Sequence, residues 1–108
     1  MDIIESYKIQ LQDKLHTEEI LDLHQIASHS NSNIYLYRKH MIADAENLPK
    51  LLSFFLTTEA DETFTLINDG EMDKKNQKNL INFLKQKPIN ILLKDNYDAS
   101  KNESIVIV

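Results

Sequence analysis

The spacing of apolar residues changes once, early in the chain, and that change constrains the fold more than any other feature of the sequence. Over residues 7–12 apolar and polar side chains alternate, with Tyr7, Ile9 and Leu11 on one side and Lys8, Gln10 and Gln12 on the other. That is the period of a half-buried strand. Beyond the short connection Asp13-Lys14-Leu15 the spacing becomes three and four, through Ile20, Leu23 and Ala27 with Leu21 and Ile26 beside them. That is the stripe of an amphipathic helix. The handover places His16 at or next to the helix N-cap.

A histidine there has chemical potential. The first backbone N–H groups of a helix lack intrahelical partners and the helix dipole is positive at that end, so an anion is favoured. An imidazole with an ordinary pKa near ~6.5 is largely neutral at pH 7 and can act as a nucleophile toward a phosphoryl group. A surface histidine at a helix start, with Glu18 and Glu19 complementing the dipole, fits the same residues.

Downstream the periods keep alternating. Asn31, Ser32 and Asn33 form a turn, residues 34–38 read as a strand rich in aromatic and branched side chains, and residues 41–43 form a short third strand after the turn Lys39-His40. Asn47 is placed to cap a helix whose first turn accepts Pro49 and whose apolar positions are Leu48, Leu51, Leu52 and Phe55. Residues 61–68 give a fourth strand through Phe64, Leu66 and Ile67. After the turn Asp69-Gly70, a helix over residues 73–86 turns Leu80, Ile81 and Leu84 inward and ends before Pro88.

At 108 residues the chain is expected to form one core. It has no cysteine, hence no disulfide or thiolate site. Its net charge of -5 argues against nucleic acid as a partner, and the one basic cluster, Lys74, Lys75 and Lys78, sits beside Glu71 and Asp73 as a solvated face does. Residues 1–5 lack the basic start of a signal peptide and no apolar run is long enough to cross a bilayer, so a soluble cytoplasmic protein is expected. No cofactor is expected. His24, His29 and His40 lack the spacing of a paired zinc motif, so no metal site is expected.

The order strand, helix, strand, strand, helix, strand, helix resembles the histidine-containing phosphocarrier protein family, HPr. The likeness runs through Leu15-His16, similar to the start of that family's active-site loop; Gln25-Ile26-Ala27-Ser28, similar to the end of its first helix; and Ile34-Tyr35-Leu36, its second strand. It continues through residues 43–48, Leu51-Leu52-Ser53-Phe54 and the turn Gly70-Glu71-Met72-Asp73, covering roughly residues 5 to 87. The resemblance implies an α+β open-faced sandwich, four antiparallel strands covered on one face by three helices (βαββαβα), over residues 1–87. It implies a phosphoryl carrier of the phosphoenolpyruvate-dependent sugar phosphotransferase system, with His16 as acceptor and Thr17 and Glu18 beside the phosphate. Leu21, Leu48, Pro49 and Leu52 fall where family members dock protein partners.

The chain departs from that pattern at three positions. Glu18 occupies the place of the arginine that neutralises phosphate in the family, Glu19 replaces a proline at the helix start, and Asn47 stands at the regulatory serine of many members. Arg38 and Lys39 could stand in for the missing arginine only if the fold brought them to His16. A weakened or converted relative, retaining the docking patch as a non-catalytic regulatory module, is the alternative function.

Residues 88–108 form a β extension outside the resemblance, with strand-like runs at 89–93 and 104–108 around a polar stretch. These runs could pair with each other, extend the sheet or pair a homodimer. An alternative parsing sets residues 33–108 apart as a unit resembling the small sulfur-carrier fold, without that fold's Cys-Pro motif.

Overall fold

The computed structural model of the protein describes residues 3–86 and 88–98. The elements are β1 (Ile3–Leu11), α1 (Thr17–His29), β2 (Asn33–Arg38), β3 (Met41–Asp44), α2 (Leu48–Leu56), β4 (Thr63–Asp69), α3 (Lys74–Leu84) and β5 (Ile89–Asp98). The strands form one five-stranded sheet in the order β3-β2-β4-β1-β5, every neighbouring pair antiparallel. The chain is therefore α+β, with the layer arrangement of an open-faced sandwich.

Register explains which face is covered. Tyr7 lies opposite Leu66, Leu66 opposite Leu36, and Leu36 opposite Ala43, so one row of side chains crosses four strands on the same face. That row and its neighbours Ile9, Phe64 and Ile34 are buried with Ile20, Leu23 and Ala27 of α1, Leu51, Phe54 and Phe55 of α2, and Leu80, Phe83 and Leu84 of α3. All three helices thus pack on one face. Phe54, Phe55 and Phe64 meet edge to face with centroids 5.4 to 5.6 Å apart, the geometry favoured by ring quadrupoles.

Several expectations change. The sheet has a fifth strand, β5, paired along β1 with a register shift between Lys8 and Ile9, and it runs on through residues 94–98 that the sequence reading assigned to a polar connection. Because β1 lies between β4 and β5, residues 33–108 are not a separate unit. Ile81 is 43% exposed rather than inward, since the buried stripe of α3 follows Asn76, Leu80, Phe83 and Leu84. Ile67 lies on the face opposite the helices, because β4 buries Phe64, Leu66 and Asn68 in strict alternation. The run at 104–108, and the hairpin and homodimer readings that depend on it, lie outside the described residues.

β1 begins four residues before the alternation becomes legible because Glu5, at the inward position before Tyr7, is charged. Glu5 accepts from Asn68 Nδ2 at 3.2 Å and from the Tyr7 hydroxyl at 3.3 Å, and lies 3.6 Å from the Lys94 ammonium. Lys94 also sits 5.3 Å from the Tyr7 ring centroid, so this polar group ties β5 to β1. Burial first, and the neighbouring Glu5 carboxylate second, push the Tyr7 hydroxyl pKa up to about 12.

Candidate functional site

β1 delivers the chain to the start of α1, and hydrogen bonds hold that junction down. Leu11 O accepts from Asp61 N at 2.7 Å and Gln12 N donates to Pro88 O at 2.7 Å, so the connection is fixed to the loop before β4 and to the residue before β5. His16 then has the extended backbone of an N-cap, φ -76° and ψ 157°. Its carbonyl accepts from the N–H groups of Glu19 and Ile20 at 3.0 and 3.1 Å, while its own N–H donates to Glu19 Oε1 at 2.9 Å. This is the carboxylate half of a capping box. Glu19 therefore has a structural job.

The His16 backbone is fixed and its side chain is exposed. It borders one hollow of about 310 Å³ with Gln12, Asp13, Lys14, Glu19 and Pro88, and a more open one with Thr17, Glu18 and Glu19. Thr17 and Glu18 are exposed as well, and their backbone N–H groups make no hydrogen bond among the described residues. Among the described residues, the one cation bordering these hollows is Lys14, against the carboxylates of Asp13, Glu18 and Glu19. Lys14 was legible only as part of a short connection, and its signal, a cation two residues before the histidine rather than after it, was missed.

Arg38, expected to serve His16 only if the fold brought it there, is engaged elsewhere. Its guanidinium donates to Glu62 Oε2 at 3.0 Å and to Thr57 Oγ1 at 2.9 Å and lies 5.4 Å from the Phe54 ring centroid, with its side chain only 10% exposed. Glu62 in turn accepts from Glu59 N at 2.8 Å; that bond first and Arg38 second hold its carboxyl below the usual range. Arg38 ties the end of β2 to the end of α2 and the loop before β4.

The expected docking residues lie along α1 and α2. Leu21 is 36% exposed, Pro49 is exposed, and Leu48 and Leu52 are half-buried, Leu52 packing against the core. Leu21 precedes His24 by one turn, and His24 Nδ1 donates to Ala45 O at 3.0 Å, two residues before the α2 cap, so the two helices meet on this side. Sequence reading missed Leu56, 73% exposed, which extends the row Leu48, Leu52 at intervals of four. Asn47 caps α2 as expected, its side chain accepting from Lys50 N at 3.3 Å.

The other histidines are engaged locally. His24 serves the α1–α2 contact, and His29 Nδ1 donates to Gln25 O at 2.8 Å. Among the described residues no three His, Asp or Glu side chains converge as a metal site would need. Among the described residues no helix is long and apolar enough to cross a membrane.

No protein-family model matches the chain, and no curated protein matches it.

Proposed function

We propose that this chain is an HPr-like phosphocarrier or regulatory protein of the phosphoenolpyruvate-dependent phosphotransferase type, with His16 as phosphoryl acceptor. The observation that carries the reading is the position of His16: an exposed imidazole on the N-cap of α1, its backbone fixed by Glu19, beside the free N–H groups of Thr17 and Glu18. The sheet covered on one face by three helices supports it too. In transfer, the unprotonated ring nitrogen of His16 forms the new P–N bond as the P–N bond of the donor's phosphohistidine breaks. The first-turn amides and Lys14 supply the positive potential. Leu21, Leu48, Pro49 and Leu52 form the surface for the protein partner.

A second reading is favoured by Glu18 and by the commitment of Arg38 to Glu62: the same scaffold acts as a protein-binding module without transferring phosphate. One experiment separates them. The protein is incubated with phosphoenolpyruvate and the general phosphotransferase-system enzyme and examined by intact mass, with a true HPr as control. The carrier reading requires an acid-labile phosphoryl group that is absent in His16→Ala. No addition, with the control modified, overturns it in favour of the binding module.

A further inference from the structure

The Arg38 guanidinium, its side chain almost wholly buried, uses its donors unevenly. Nη1 donates to Glu62 and Nη2 to Thr57, while the buried Nε–H meets no acceptor among the described residues. The second Nη2 contact is the Met41 thioether, with Nη2 and Sδ 3.3 Å apart. A thioether sulfur is only a weak acceptor. One donor of a buried cation is therefore unspent and another is spent poorly, where an unmet buried donor carries a cost.

The Thr57 hydroxyl lies 3.8 Å from the same sulfur, but it has one proton and two nearer acceptors, Ser53 O at 2.9 Å and Phe54 O at 3.1 Å. The Arg38 N–H is thus the sulfur's donor, and it occupies one of two lone pairs. Met41 opens β3, which forms an edge of the sheet, and is half-buried, so solvent reaches it. Met72 is buried in the core. Of these two, Met41 is the methionine that a dissolved oxidant meets.

Methionine sulfoxide ordinarily disrupts packing, because a polar group replaces an apolar one. Beside Arg38 the balance reverses. The sulfoxide oxygen is a far better acceptor than the thioether, and a charge-assisted hydrogen bond to a guanidinium is roughly twice as strong as a neutral one. Three side-chain torsions let Met41 turn that oxygen toward Nη2 or the unspent Nε–H. We propose that Met41 is a peroxide-sensitive modification site, whose sulfoxide is received by the Arg38 guanidinium and tightens the joint between β2, β3 and the end of α2. In the reaction a sulfur lone pair attacks hydrogen peroxide, the S–O bond forms as the O–O bond breaks, and the second oxygen leaves as water. Sulfur loses two electrons and the peroxide gains them. The site is independent of phosphoryl acceptance at His16.

The test is brief exposure of the folded full chain to hydrogen peroxide, followed by peptide mapping for the gain of one oxygen, melting curves, and nitrogen-resolved NMR of the Arg38 Nε–H. Met41 should be oxidised about tenfold faster than Met72, which its burial protects. Oxidation should raise Tm by about 4 °C and shift the Arg38 Nε–H resonance while slowing its exchange with solvent. Met41→Leu should show neither change after the same treatment, which separates Met41 from Met1. Arg38→Lys keeps the charge but not the planar fork and should lose the gain in Tm. Equal oxidation of Met41 and Met72, a lower Tm in the oxidised protein, the same changes in Met41→Leu, a gain retained in Arg38→Lys, or an Arg38 resonance indifferent to oxidation each overturns the proposal.

Discussion

Replacing Glu18 by arginine reverses a unit charge in the first turn of α1, two residues from His16, with both side chains exposed. Taking ~6 Å between the residue 18 head group and a phosphoryl group on His16, each pair of unit charges contributes ~0.7 kcal/mol in bulk water. Physiological salt, with a screening length of ~8 Å, removes about half of that. A phosphoryl group near charge −2 and a reversal of two charge units then bring the change to ~1.4 kcal/mol, or about tenfold in phosphoryl acceptance. Glu18→Gln makes half the change and should gain about threefold. The assay is the time course of phosphoryl addition by intact mass, at low, physiological and high salt. Because the groups are exposed, the advantage of Glu18→Arg should shrink as salt rises. Equal acceptance by Glu18→Arg and the unsubstituted protein, a gain no larger than that of Glu18→Gln, or a gain indifferent to salt would refute the reasoning.

Other consequences concern the scaffold. Asn47→Ala removes the side-chain bond to Lys50 N and should cost about 0.5–1 kcal/mol in urea unfolding, with Asn47→Ser recovering most of it. Gly70 has φ +115°, and an added Cβ would lie 3.3 Å from Ser32 Cβ, so Gly70→Ala should lower stability by about 1–2 kcal/mol and Tm by several degrees. The Tyr7 pKa is raised in the folded state, so its contribution to stability is complete below pH 10 and is lost as pH rises toward about 12. Ultraviolet titration should show one tyrosine ionising only with alkaline unfolding, and Tyr7→Phe should remove that delayed component; its persistence in Tyr7→Phe would contradict the assignment.

The sequence made the strand-to-helix junction legible because two periods meet there without a break. Tyr7, Ile9 and Leu11 are buried, Ile20, Leu23 and Ala27 face them, and His16 lies at the cap between. The Asn47 cap was equally legible, since Asn followed by Pro and apolar residues leaves a helix few other starts. Less of the edge was visible. Residues 94–98 are polar, so composition gave no sign that β5 continues through them, while pairing along β1 and the contacts of Lys94 with Glu5 and Tyr7 hold at least the Lys94 position. Arg38 was a candidate cation by charge alone; only three dimensions show it engaged with Glu62 and Thr57.

The residues that place His16 are not the residues that would do chemistry with it. Its backbone is held by the Glu19 carboxylate and by the amides of Glu19 and Ile20, and the connection before it by Asp61 and Pro88. None of these bonds involves the imidazole, Thr17 or Glu18. The fold places no demand on residue 18 beyond an exposed site in a first helical turn, where a carboxylate even complements the dipole, so a change at that position leaves His16 in place. Transfer chemistry and scaffold are separable here. The docking side differs, since Leu52 packs against the core while remaining half-exposed, so a change there alters both stability and surface. On this arrangement the proposed partner-binding surface is tied to the fold, whereas the proposed phosphate acceptance is not. Under the proposed function, Glu18 and Lys14, rather than any feature of the sheet, are the positions whose substitution separates the carrier reading from the binding-module reading.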